Sequence, residues 1–118
     1  MEMRIGYSTM IVENMETSLA FYTKVMGFEV DSTYEPGPGT RISLLKGHGE
    51  TMLELIENKS FPVGLYSVGM DVKDLDGLLA RMKADSVNVM TEITPTLVGK
   101  MAMITDPDGI RYALIEHH

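Results

Sequence analysis

Between Asn14 and Phe28, apolar residues recur at Met15, Leu19, Tyr22, Val25 and Met26, a three-and-four spacing that lays one stripe along a helix. Asn14 is suited to cap the first turn, because its side-chain oxygen can accept from a free backbone amide. Gly27 can supply the left-handed residue that closes the helix. Arg4–Val12 before the helix and Phe28–Thr33 after it read as strands. The same grammar returns about halfway along. Met10-x-Val12-x-Asn14-Met15-Glu16-x-x-Leu19-Ala20 matches Met70-x-Val72-x-Asp74-Leu75-Asp76-x-x-Leu79-Ala80. The strand tails match as well: Met52-Leu53-Glu54-Leu55-Ile56-Glu57 aligns with Arg111-Tyr112-Ala113-Leu114-Ile115-Glu116. Self-similarity of this kind marks a repeated supersecondary unit.

The remaining pattern completes each unit. Tyr34-Glu35-Pro36-Gly37-Pro38-Gly39-Thr40 reads as a loop, since prolines and glycines do not sustain a ladder. Arg41–Lys46 and Thr51–Glu57 read as strands around a Gly47-His48-Gly49-Glu50 turn. Asn58–Pro62 links the halves, and Val63–Val72 opens the second. Asp74 caps a helix whose stripe is Leu75, Leu78, Leu79 and Met82. Strands follow at Val87–Thr94, Met101–Thr105 and Ile110–Glu116, the last after an Asp106-Pro107-Asp108-Gly109 turn. The expected order is β-α-β-β-β twice, an α+β class in one domain, with module one at about 1–58 and module two at about 61–118.

Composition narrows the partners. The 118-residue chain is 44 % hydrophobic, as in soluble globular proteins, and no apolar run approaches the ~20 residues needed to span a bilayer. No export leader is evident, so the expected setting is cytoplasmic, and zero cysteines exclude disulfides and thiolate chemistry. A net charge of −7, spread over both halves, argues against nucleic acid and favours a cationic ligand. Eleven methionines and no tryptophan point to a core, or a pocket, of adaptable side chains. His117 and His118 resemble the remains of a purification tag and are given no role.

A doubled β-α-β-β-β unit, with Phe21-Tyr22-Thr23-Lys24-Val25-Met26-Gly27-Phe28 ending the first helix and Asp106-Pro107-Asp108-Gly109-Ile110 before the last strand, resembles the vicinal-oxygen-chelate superfamily. That group includes glyoxalase I, extradiol dioxygenases, and fosfomycin- and bleomycin-resistance proteins. The resemblance implies two curled mixed sheets forming a cup around a site. It also implies metal ligands, usually His or Gln with Glu, on the first and last strand of each module. Those positions fall here on Tyr7 and Glu54, and on Ser67 (or its neighbour Tyr66) and Ala113. Of these only Glu54 is a ligand of the usual kind, whereas zinc or nickel wants three or four converging His or carboxylate groups.

The expectation drawn from this is a metal-free, cofactor-free binding protein of the bleomycin-resistance type. It would sequester a cationic aromatic compound; whether it is an enzyme stays open, the emptied ligand positions pointing away from one. The alternative is a glyoxalase-, lyase- or dioxygenase-like enzyme with an atypical metal set such as Tyr7, Glu54 and Tyr66, or with metal-free chemistry at Glu54. Candidate ligand contacts are Tyr7, Glu54, Tyr66, Ser67, Met52, Met101, Met103, Arg111 and Tyr34, the last as a lip residue on a mobile loop. Met52, Glu54 and Ile56 would share one strand face. Glu57 and Glu116 would point elsewhere, into solvent. Partners are expected to be a small molecule and a second copy in a homodimer, with no membrane.

Overall fold

In the computed structural model, which describes residues 2–118, the β-α-β-β-β order occurs twice. The first run is β1 (Met3–Val12), α1 (Met15–Ala20) continued by a wider turn over Phe21–Val25, β2 (Glu29–Gly37), β3 (Thr40–Lys46) and β4 (Met52–Glu57). The second is β5 (Gly64–Val72), α2 (Leu75–Ala84), β6 (Asn88–Pro95), β7 (Gly99–Thr105) and β8 (Arg111–His117). Two compact units are formed: Tyr7–Tyr66, and Ser67–His118 together with residues up to Gly6. Strand order is β2-β3-β4-β1 in the first run and, equivalently, β6-β7-β8-β5 in the second. In each, the strand before the helix runs parallel to the last strand, and the hairpins are antiparallel. The expected class, α+β with paired βαβββ modules and mixed sheets, is the one adopted.

Both helices start on two side-chain caps. Asn14 Oδ1 accepts from Thr17 N at 2.9 Å and Asp74 Oδ1 from Gly77 N at 3.1 Å. The second cap was not anticipated. Glu57 Oε1 reaches back from β4 to accept from Met15 N at 2.6 Å, and Glu116 Oε1 from β8 to accept from Leu75 N at 2.8 Å. The expectation that these two glutamates sit in solvent is thereby corrected. Each satisfies an orphan amide and places a negative charge at the positive end of a helix.

The first helix carries one residue more than the second. Met10 and Met70 stand 60 positions apart, whereas Met52 and Arg111 stand 59 apart. The wider turn absorbs the surplus, with Met26 N donating five residues back to Phe21 O at 3.2 Å. Gly27, at φ +77°, then ends the helix in the left-handed conformation, as its position suggested.

Each helix covers one face of its own sheet. Met15, Leu45 and Leu55 form the centre of the first core and are fully buried, with Leu19, Tyr22, Phe28 and Leu53 packed around them. Leu75, Ile104 and Leu114, with Val72, Leu78, Leu79 and Ala102, form the second. Burying side chains of this size contributes roughly 1.5–3 kcal/mol each.

One sequence expectation about the strands fails. Tyr34 to Gly37 is not a loop but the end of β2, and Tyr34 pairs with Ile42 of β3. β2 is the outer strand of its sheet, where the missing amide of Pro36 leaves no ladder bond unmade. Register shifts at Val30/Ser32 and Tyr34/Gly37 take up the irregularity.

Candidate active site

Because β-strand side chains alternate, the residues that pack on α1 fix the identity of those on the opposite face. Leu53 and Leu55 of β4, Met10 of β1 and Leu45 of β3 meet the helix. Met52, Glu54 and Ile56 therefore share the helix-free face, as expected. The register adds Tyr7, Thr9 and Ile11 from β1, opposite Met52, Glu54 and Ile56 in turn, and Leu44 and Ile42 from β3. Tyr34 of β2 joins this face through its pairing with Ile42. Its place as a candidate contact thus rests on a strand, not on a mobile lip.

Glu54 is the chemical centre of that face. The Thr9 hydroxyl donates to Glu54 Oε1 at 2.7 Å, and Thr9 itself is 3 % exposed. Burial pushes the Glu54 carboxyl above its ordinary value, because the charged form loses solvent; the Thr9 hydrogen bond pulls partly the other way. Burial also raises the Tyr34 phenol, and the nearby Glu54 charge adds to the effect. A carboxyl that takes up a proton more readily than usual, on a face with tyrosines and apolar side chains, has the character of an acid–base group. Thr9 was absent from the sequence candidates. Its signal lies in the β1–β4 register, which sets it directly across from Glu54 and which the sequence pattern does not fix.

In the second run, Met70, Tyr112, Leu114, Ala102 and Ile104 pack toward α2. Ser67, Met101, Met103, Arg111 and Ala113 lie on the opposite, helix-free face of their own strands, with Ala113 opposite Gly69 and Arg111 opposite Thr105. Ser67 is 5 % exposed and Met103 is 8 % exposed. Alternation along β5 gives Tyr66 the opposite face from Ser67. Tyr66 packs edge-on against Phe61 at 5.5 Å, so Ser67 holds the position for which the two were alternatives.

In the first run the positions implied for metal ligands hold one phenol, Tyr7, and one carboxylate, Glu54; in the second they hold one hydroxyl, Ser67, and one methyl, Ala113. Neither pair by itself fits a tightly held divalent metal. Among the described residues, the group of three acids close enough to share an ion is Asp74, Asp76 and Glu116, at the start of α2. Those carboxylates are engaged: Asp74 and Glu116 cap the helix, and Asp76 is paired with Lys100.

The chain matches the model of the Glyoxalase/Bleomycin resistance protein/Dioxygenase superfamily over residues 4–114. It belongs to that superfamily. Lactoylglutathione lyase of Salmonella typhimurium is 31 % identical over 126 residues, covering 97 % of this chain and 93 % of its own. That of Escherichia coli O157:H7 is 30 % identical over 128 residues, covering 97 % and 93 %. A hypothetical protein from Bacillus halodurans superposes with a TM-score of 0.89 at 18 % identity, over 100 % of this chain and 96 % of its own. Methylmalonyl-CoA epimerase from Mycobacterium tuberculosis does so with a TM-score of 0.83 at 17 % identity, over 97 % and 87 %. At such identities the structural likenesses speak to the fold alone. The relatives correct the functional expectation: a metal-free sequestering protein of the bleomycin-resistance type is overturned by similarity, over nearly the whole chain, to proteins named as enzymes. No helix among the described residues is long and apolar enough to cross a membrane.

Proposed function

We propose that this chain is an enzyme of the lyase or isomerase kind that moves a proton on a small carbonyl compound, with Glu54 as the acid–base group. The observation that carries the reading is the Glu54 carboxyl, half-buried, held by Thr9 and raised above its ordinary value on the helix-free face. The relatives' name supplies the substrate class. Lactoylglutathione is a 2-hydroxyacyl thioester, and its isomer is the thiohemiacetal of a 2-oxoaldehyde. Interconverting the two needs no external oxidant or reductant. Glu54 takes the proton from the carbon that bears sulfur and hydroxyl, and the electron pair passes into an enediolate. The hydroxyl proton passes from the oxygen on that carbon to the oxygen on its neighbour, and Glu54 delivers a proton to the neighbouring carbon as the thioester carbonyl forms. Tyr7 and Tyr34 are the hydroxyl groups on the same face that can donate to the enediolate oxygens. Desolvation suits this chemistry, because a carboxyl raised above its ordinary value holds the proton it accepts more firmly and can return it. No step is assigned to a metal.

Ser67, Met101, Met103 and Arg111 remain candidate ligand contacts on the helix-free face of the second run. A homodimer is part of the proposal, since Ile5 and Leu65 are 58 % and 64 % exposed although apolar. A cytoplasmic setting fits the lack of cysteine. The deciding experiment follows turnover of glutathione and coenzyme A thiohemiacetals and 2-hydroxyacyl thioesters by chelator-treated protein, beside Glu54→Gln. Turnover lost by at least about 100-fold in Glu54→Gln supports the proposal. Equal rates in the two proteins overturn it.

A further inference from the structure

Thr9 and Glu54 are register partners across the parallel β1–β4 pair, so their side chains leave neighbouring backbones on one face. A threonine in a strand has few χ1 rotamers, and one buried to 3 % exposure cannot swing into solvent, so its hydroxyl is fixed in place. A buried hydroxyl needs a partner, and Glu54 Oε1 at 2.7 Å is that partner. A hydroxyl can also stay bonded through a protonation cycle, because it donates to a carboxylate and can accept from a carboxylic acid.

We infer that Thr9 is the positioning residue of the site: it holds Glu54 Oε1, so that Oε2 is the oxygen that exchanges a proton with the ligand. This rests on the acid–base role of Glu54 proposed above. Thr9 does not touch the substrate. It sets the orientation of the carboxyl plane and the proton affinity of the free oxygen. The titratable groups on the same face of this half are Tyr7 on β1, Glu29 and Tyr34 on β2, and Lys46 on β3, the last opposite Glu29 and with Asp31 at 3.9 Å.

The test uses the full chain with ¹³C-labelled glutamate carboxyls, and assigns Glu54 by its absence in Glu54→Gln. Thr9→Val keeps the shape and removes the hydroxyl; Thr9→Ser keeps the hydroxyl. In Thr9→Val the Glu54 resonance titrates at higher pH than in wild type, by about half a unit or more, and Thr9→Ser returns it to the wild-type position. In the turnover assay, the rising limb of the pH–rate profile moves up with it, kcat falls about 10-fold, and KM is little changed. An unmoved Glu54 titration in folded Thr9→Val overturns the inference. If Thr9→Val does not fold, Thr9→Ala against Thr9→Ser makes the same comparison. A titration that follows the hydroxyl in a protein without turnover upholds the positioning and rejects the proposed reaction.

Discussion

Replacing Glu54 by glutamine should make the protein more stable at neutral pH, and the gain should vanish in acid. The carboxyl is raised by burial, so the folded state binds its proton more tightly than the unfolded chain does. Below the unfolded value, about 4.3, both states are protonated and the charge imposes no penalty. As pH rises through the folded value, the buried group must ionise and stability is lost. Each pH unit of upward displacement corresponds to about 1.4 kcal/mol. Loss of solvent around the charge is offset in part by the charge-assisted bond from Thr9, leaving a net penalty of about 1–2 kcal/mol. Glutamine keeps an oxygen to accept from Thr9 and carries no charge. With about 2.1 cal/mol/K of unfolding entropy per residue, the 118-residue chain shifts its Tm by about 4 °C per kcal/mol. Thermal melts of the two proteins from pH 4 to pH 8.5 should therefore diverge by about 4–8 °C at the alkaline end and converge at the acid end. The difference between variants is the quantity to read, because the other carboxylates titrate in both. A constant difference across pH, or a Glu54→Gln protein that is the less stable above pH 7, refutes the reasoning.

Glu57→Ala and Glu116→Ala should each lower stability by about 1.5–3 kcal/mol in urea unfolding, since each removes a charged cap from a helix start; losses under about 0.5 kcal/mol would show that the caps are incidental. Leu55→Ala, at a site with no exposed area, should cost about 2–5 kcal/mol, and a smaller loss would mean that the first core collapses around the gap. Deleting Lys24 should be tolerated with helical circular dichroism kept and stability changed by about 1 kcal/mol or less, because it brings the first helix to the length of the second; an unfolded product would show that the wider turn is required.

Much of the architecture was legible because it is written twice. The matched residues around Asn14 and Asp74 located both helices, and the matched tails around Leu55 and Leu114 located both closing strands. Pro36 misled, since proline breaks a central strand but is tolerated in an outer one, and sequence does not say which strand is outer. Glu57 and Glu116 misled for a related reason. Position along the strand placed them on the helix side, but only the folded chain brings each to a free amide more than forty residues away. One face was legible: period-two alternation set Met52, Glu54 and Ile56 together on β4, whereas Tyr7 joins them only through the β1–β4 register. Thr9 was missed because its role depends on the β1–β4 register, a long-range pairing that alternation does not fix. The function was misread at a specific step, where Tyr7, Ser67 and Ala113 at the implied ligand positions were taken as loss of catalysis, whereas the relatives that the chain resembles over nearly its whole length are named as enzymes.

The most direct measurement is proton exchange at the substrate carbon. Chelator-treated wild type and Glu54→Gln would be incubated in deuterium oxide with S-lactoylglutathione and with the glutathione thiohemiacetal of methylglyoxal. Deuterium at the carbon beside the carbonyl would then be read by NMR. Expected is isomerisation or proton exchange by the wild type at a rate at least about 100-fold above that of Glu54→Gln, with deuterium entering to the extent that Glu54 exchanges its proton with solvent. A wild type that neither isomerises these compounds nor exchanges the proton, or activity that persists undiminished in Glu54→Gln, contradicts a Glu54-centred enzyme.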